Sequence, residues 1–174
     1  MIFTKRVFIC ILISFSLILV SCGNDDYKDP NEEAVSISEN MIQSFKSKNA
    51  DQIKDMFCSY VLSSDKNIKK EIESAFEFID GEIISYKDPF PMTVGAQKAK
   101  SYGARIDDVK TDKGTTYTIS FNGEFRNDND KNVEGVRYIK IINETKKKSS
   151  SDKNEYMKEI GLPEFSKEKM DEIF

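Results

Sequence analysis

"AFEFIDGEIISY", Ala75 to Tyr86, changes its period halfway. Up to Ile79, the residues Ile68, Ile72, Ala75, Phe76 and Ile79 recur every three or four positions, which makes one apolar stripe on a helix. Asp80-Gly81 ends that helix, because glycine takes backbone angles other residues avoid. From Glu82 the period drops to two, and Glu82 to Lys87 (EIISYK) reads as a strand. Upstream the helical period continues, and downstream the strand period does. Helices followed by strands, without alternation, imply an α+β domain.

Upstream, Asp29-Pro30 is a helix start, with Asp as N-cap, Pro in the first turn and Glu32 and Glu33 on the positive end of the dipole. Ala34, Ile37, Met41 and Phe45 supply its stripe, and Asn49 suits its stop. A shorter second helix begins near Asp51 with Ile53, Met56, Phe57 and Tyr60 on one face, and Ser64 or Asp65 caps the third. Downstream, Asp88 to Lys98 reads as a loop with Pro89, Pro91 and Gly95, and Ser101 to Thr111 as a second strand. Asp112-Lys113-Gly114 is a hairpin turn. Thr115 to Asn127 is a third strand, with Tyr117, Ile119, Phe121 and Phe125 on one side. NDNDKN (Asn127 to Asn132) is a turn; it has the composition of a calcium loop without the bidentate glutamate at the required distance. Val133 to Asn143 is a fourth strand, apolar on both faces. Glu144 to Asn154 is a charged linker. The tail carries Tyr156, Met157 and Ile160 at helical spacing, then Phe165, Met170, Ile173 and Phe174. Two uses of this tail are open: cover for Tyr138 and Ile142 on the outer face of strand four, or contact with a partner or second copy.

The N-terminus specifies an address. Lys5 and Arg6 precede an apolar run, Val7 to Val20, broken only by Ser14 and Ser16. That run has the length of a signal-peptide core and is shorter than the ~20 residues a membrane span needs. Leu19-Val20-Ser21-Cys22 resembles a bacterial lipobox. A thiol is the nucleophile that accepts a diacylglycerol group, and a small preceding residue admits the peptidase. The expected organisation is a signal peptide over 1–21, a tether over 22–30, an α+β domain over 31–143, and a linker and tail over 144–174. Cys22 is the expected lipidation site, and the location is the extracytoplasmic face of the cell membrane.

Composition removes other functions. The chain carries −4, and loss of Lys5 and Arg6 leaves −6, a balance opposed to nucleic-acid binding. It contains no histidine. That excludes Ser-His-Asp and Cys-His catalysis and imidazole acid–base work, and removes the commonest zinc ligand. Cys58, in the apolar stretch MFCSYV, reads as a buried small side chain. No phosphate loop or paired-cysteine spacing is present, so no catalytic residue, metal or cofactor is expected.

The order of helices and hairpins, carried by "KNADQIKDMF", "AFEFIDGEIISY", "TYTISFNGEF" and "VEGVRYIKII", resembles the nuclear-transport-factor-2-like fold, also called cystatin-like. It is similar as well to small Gram-positive lipoproteins of unknown function, the domain-of-unknown-function family 5104. The resemblance implies three N-terminal helices packed on a bent four-stranded antiparallel sheet, with a pocket at the mouth of the cone and the helical tail appended.

Arginine is scarce in the expected mature chain and stands at Arg105, Arg126 and Arg137, all on predicted strands. If Phe121 faces Ile139, Arg137 shares a side with Tyr117 and Phe121. Arg137 with Tyr60, Tyr117, Phe121 and Phe57 is then a candidate pocket for a small acidic or amphipathic ligand. The competing reading is structural: Arg137 paired with Glu124, and Arg105 with Asp107 or Glu124. Two functions follow. The favoured one is a non-enzymatic, membrane-anchored binding module for a small ligand, or for a protein partner or second copy through sheet face or tail. The alternative is a lipid-anchored enzyme using Tyr/Asp acid–base chemistry in the pocket.

Overall fold

The computed structural model describes residues 29–162, apart from Thr93 and residues 96–98. The expected signal peptide and residues 22–28 of the expected tether, with Cys22, lie outside the described residues, as do Phe165, Met170, Ile173 and Phe174 of the tail; Asp29 and Pro30 of the tether belong to the start of the first helix.

Helix α1 (Pro30–Ser47) starts as its sequence dictates, with the Asp29 side chain accepting from the Asn31 N–H at 2.9 Å. It buries Ala34, Met41, Ile42 and Phe45. It stops one residue earlier than expected. Lys48 takes the left-handed conformation (φ 52°), which frees Asn49 to cap α2 (Ala50–Lys54) through the Gln52 N–H. The expected second helix is two helices, because Phe57 leaves the helical path and bridges to Val136. The second piece is α3 (Ser59–Ser64). Helix α4 (Ile68–Phe78) then buries Ile68, Ile72 and Ala75. Four helices therefore stand where three were expected.

Strands β1 (Ile83–Ser85), β2 (Phe90–Pro91) and β3 (Val94–Gly95) all pair with one edge of β4 (Ala99–Thr111). The expected loop over Asp88 to Lys98 thus contains two strands of two residues each. Pro91 is tolerated there because an edge strand leaves half its backbone groups unpaired. Strands β5 (Thr116–Asn127), β6 (Gly135–Asn143) and β7 (Met157–Gly161) complete a seven-stranded antiparallel sheet in the order β1-β4-β5-β6-β7. A 3₁₀ turn (Lys131–Val133) leads into β6, and two one-turn helices, α5 (Glu144–Lys147) and α6 (Lys153–Tyr156), occupy the expected linker. The class is α+β as expected, with seven strands in place of four.

One face of the sheet carries Ile106, Ile119, Phe121, Ile139, Ile141 and Ile160, all buried in one core with Met41, Ile42, Ile53 and Ile72 from the helices. Helix α1 packs on β4 and α4 on β7. Each fully buried Ile contributes ~1.5–3 kcal/mol, so this shared face holds the two layers together.

The tail corrects an expectation. Tyr156, Met157 and Ile160 do not form one helix: Met157–Gly161 is a strand, with Ile139 opposite Ile160 and Tyr138 opposite Gly161. Strand β6 has a second edge of N–H and C=O groups that burial makes costly to leave unpaired. Five residues of tail satisfy it. Within the described residues the tail extends the sheet at this edge instead of lying across its outer face.

Helix α4 also touches β7 through a carboxylate. Glu71 Oε2 accepts from the Gly161 N–H at 3.2 Å. Burial pushes the Glu71 carboxyl above the ordinary glutamate range; Asp65 adds to the shift, while the Gly161 N–H and Lys158 oppose it. A raised acid pKa means the folded state holds the proton longer than the unfolded state. This group's contribution to stability is therefore largest at low pH and declines as pH rises through the raised value. Glu71→Gln is expected to raise stability at pH 7 by less than about 1 kcal/mol, because the group is partly screened by solvent. It should also flatten that part of the pH profile. Urea midpoints of both proteins at pH 5 and pH 7.5 check this.

Candidate functional site

The register places Phe121 opposite Ile139, the pairing on which the Arg137 pocket depended. Just beyond it a β-bulge intervenes. Asn122 faces Tyr138 and Gly123 faces Val136, leaving Arg137 as the extra residue. A bulge bends its strand and re-aims side chains. Gly123 admits the close approach: a Cβ there would stand 2.2 Å from the Gly135 carbonyl oxygen. Arg137 Nη2 lies 2.9 Å from Glu124 Oε1, and the two side chains are 8% and 1% exposed. Asn127 Nδ2 donates to the other Glu124 oxygen at 2.6 Å. Asn127 in turn organises the NDNDKN turn, its Oδ1 accepting from the N–H groups of Asn129 and Asp130. The structure thus contains the Arg137–Glu124 pair that the competing reading expects. Arg105 likewise pairs with Asp107 at 3.0 Å.

The other expected pocket residues are spread along the core. Phe57 is buried at the β6 end, where a Cβ on Gly161 would stand 2.9 Å from its ring. Phe121 is buried edge-on to Tyr102, centroids 5.7 Å apart. Tyr117 sits four residues from Phe121 along β5, against Phe78, with centroids 6.1 Å apart. Its hydroxyl donates to the Phe78 carbonyl at 3.2 Å and accepts from the Asp80 N–H at 2.8 Å. It thus pins the helix-to-strand junction. Tyr60 is half-exposed on α3.

Acid–base chemistry by a tyrosine needs a carboxylate within reach. The Tyr138 hydroxyl donates to the Glu159 carboxylate. Burial, then this carboxylate, pushes the Tyr138 hydroxyl far above the ordinary tyrosine range. It keeps its proton at neutral pH.

A cavity of about 460 Å³ opens elsewhere, beside the Ala75-to-Tyr86 junction. Phe45, Phe76, Ile79 and Ile83 wall it, and Lys46, Lys48, Glu82, Asp112 and Lys113 stand around it. Phe45 and Phe76 meet edge to face at 5.7 Å. Gly81, at φ 91°, forms part of the lining; a Cβ on it would stand 2.2 Å from Asp112 Oδ1, which itself accepts from the Glu82 N–H at 2.8 Å. None of the five expected ligand residues lines this cavity. Its walls come from three segments far apart in the chain, residues 45–48, 76–83 and 112–113, so no spacing in the sequence announces it. Among the described residues, no cluster of three or more His, Cys, Asp or Glu side chains is placed to hold a metal ion.

A small α+β domain whose helices cover one sheet face and leave a side cavity is the class defined here. The chain belongs to the family described as a domain of unknown function, DUF5104, whose model matches residues 40–144. The match runs from within α1 to the end of β6 and contains every wall of the cavity. The comparison with curated proteins returned no match.

Proposed function

We propose that this is a membrane-anchored, extracytoplasmic lipoprotein whose domain, a variant of the nuclear-transport-factor-2-like cone, is a non-enzymatic binding module. The observation that carries the reading is the run Leu19-Val20-Ser21-Cys22, placed after an apolar segment of signal-peptide length. Two or more acyl chains at Cys22 would anchor the protein stably, and the polar segment Gly23 to Lys28 would hold the domain off the bilayer. Binding, not turnover, fits a chain without histidine whose tyrosine–carboxylate pair does not line the described cavity. Among the described residues no helix is long and apolar enough to cross a membrane, so in this reading attachment rests on Cys22. Growth with an alkynyl palmitate analogue tests it. The wild-type protein is expected to take the label and Cys22→Ser to lose it; equal labelling of the two, or none, removes the reading.

A further inference from the structure

We infer that the cavity between Phe45, Phe76, Ile79 and Ile83 is a binding site for a small amphipathic carboxylate. This rests on the reading of the domain as a binding module and adds the chemical class of what is bound. The volume, about 460 Å³, lies in the range of small-molecule sites, and polar and apolar groups share its lining in nearly equal measure, which suits a ligand of both characters. Two phenyl rings at right angles and two isoleucines supply an apolar slot that suits an aryl or short alkyl group.

The charge around the slot selects the head group. Lys46, Lys48 and Lys113 line it, and among the described residues none of the three is in an ion pair. Two carboxylates, Glu82 and Asp112, share the lining, so the three lysines leave a small positive excess; Asp112 accepts from the Glu82 N–H. The C-terminal end of α1 would repel an anion through its carbonyls, but the carbonyls of Ser44 and Phe45 are taken by the N–H groups of Asn49 and Lys48. Three ammonium groups on flexible stems are left to meet one carboxylate at the mouth while its apolar part enters.

The test uses 3-phenylpropionate, with 3-phenylpropanol and 3-phenylpropylamine as head-group controls. They are titrated into the mature protein carrying Cys22→Ser, so that no acyl chain takes part, and followed by amide NMR and calorimetry. The acid is expected to bind about five-fold or more tighter than the alcohol, weakening with salt as exposed charge pairs do. The shifted amides should centre on Gly81, Glu82 and Lys113. The exposed double reversal Lys46→Glu/Lys113→Glu should lower affinity several-fold, while the urea midpoint falls only slightly, as a Glu in the last turn of α1 meets the negative end of the helix dipole. Preference for the amine, or no effect of the double reversal, overturns the assignment of a carboxylate while leaving a binding module in place. No binding of any probe at millimolar concentration, or shifted amides away from this cavity, overturns the site. Either failure is separate from failure of the anchor, which palmitate labelling reads independently.

Discussion

Glu124→Ala is expected to destabilise the protein by about 3–5 kcal/mol, the cost of leaving a buried charge without its counter-ion. The Arg137 guanidinium lies 2.9 Å from Glu124 with both side chains out of water. Removing the carboxylate also takes away the acceptor of the Asn127 amide, which holds the turn between β5 and β6. Against a total stability of about 5–15 kcal/mol, such a loss removes a large share of it. The double replacement Glu124→Leu/Arg137→Met should recover part of it, because removing both charges abolishes the desolvation cost while the Asn127 amide still lacks its acceptor. Urea denaturation of the three proteins measures this. A loss below about 1 kcal/mol for the single variant would mean that the pair is open to water.

This pair also marks what the sequence made legible. The scarcity of arginine drew attention to Arg137; alternation in β5 permits the Phe121–Ile139 register without fixing it, and the sheet meets that condition. The bulge was not legible: it arises where Gly123 lets the Gly135 backbone approach, and one extra residue in a strand leaves no periodic trace. Helix α1 was readable from its cap and stripe, α4 from its stripe alone, since its N-cap is Asn67 and not Ser64 or Asp65, and the Gly81 junction from its change of period. Strand β7 was not, because Met157 to Gly161 holds too few residues to separate a period of 2 from one of 3.6; its pairing is decided by the open edge of β6. Strands β2 and β3 were hidden because two residues each leave no period, and Pro89 and Pro91 at β2 read as loop. The cavity was hidden for another reason. Phe45, Phe76, Ile83 and Lys113 each read as core, cap or turn in their own segment, and only the fold brings them together.

The second large effect concerns location. Signal-peptide cleavage before Cys22 followed by acylation would place two or three chains in the bilayer, each buried CH₂ contributing ~0.8 kcal/mol. Electrostatic attachment cannot imitate this, because a chain carrying −6 after loss of Lys5 and Arg6 is repelled by anionic lipid. Salt separates the two modes, since high ionic strength screens charge but leaves acyl burial intact.

Membranes from cells expressing either the wild-type protein or Cys22→Ser, washed in high salt, supply the most direct measurement. The wild-type protein is expected to stay in the pellet and to be cleaved when intact cells or protoplasts are treated with external protease, whereas the Cys22→Ser protein that reaches the exterior is washed free. Retention of both forms alike, release of both, or protection of the wild-type domain from external protease would contradict an exterior domain held by lipid at Cys22.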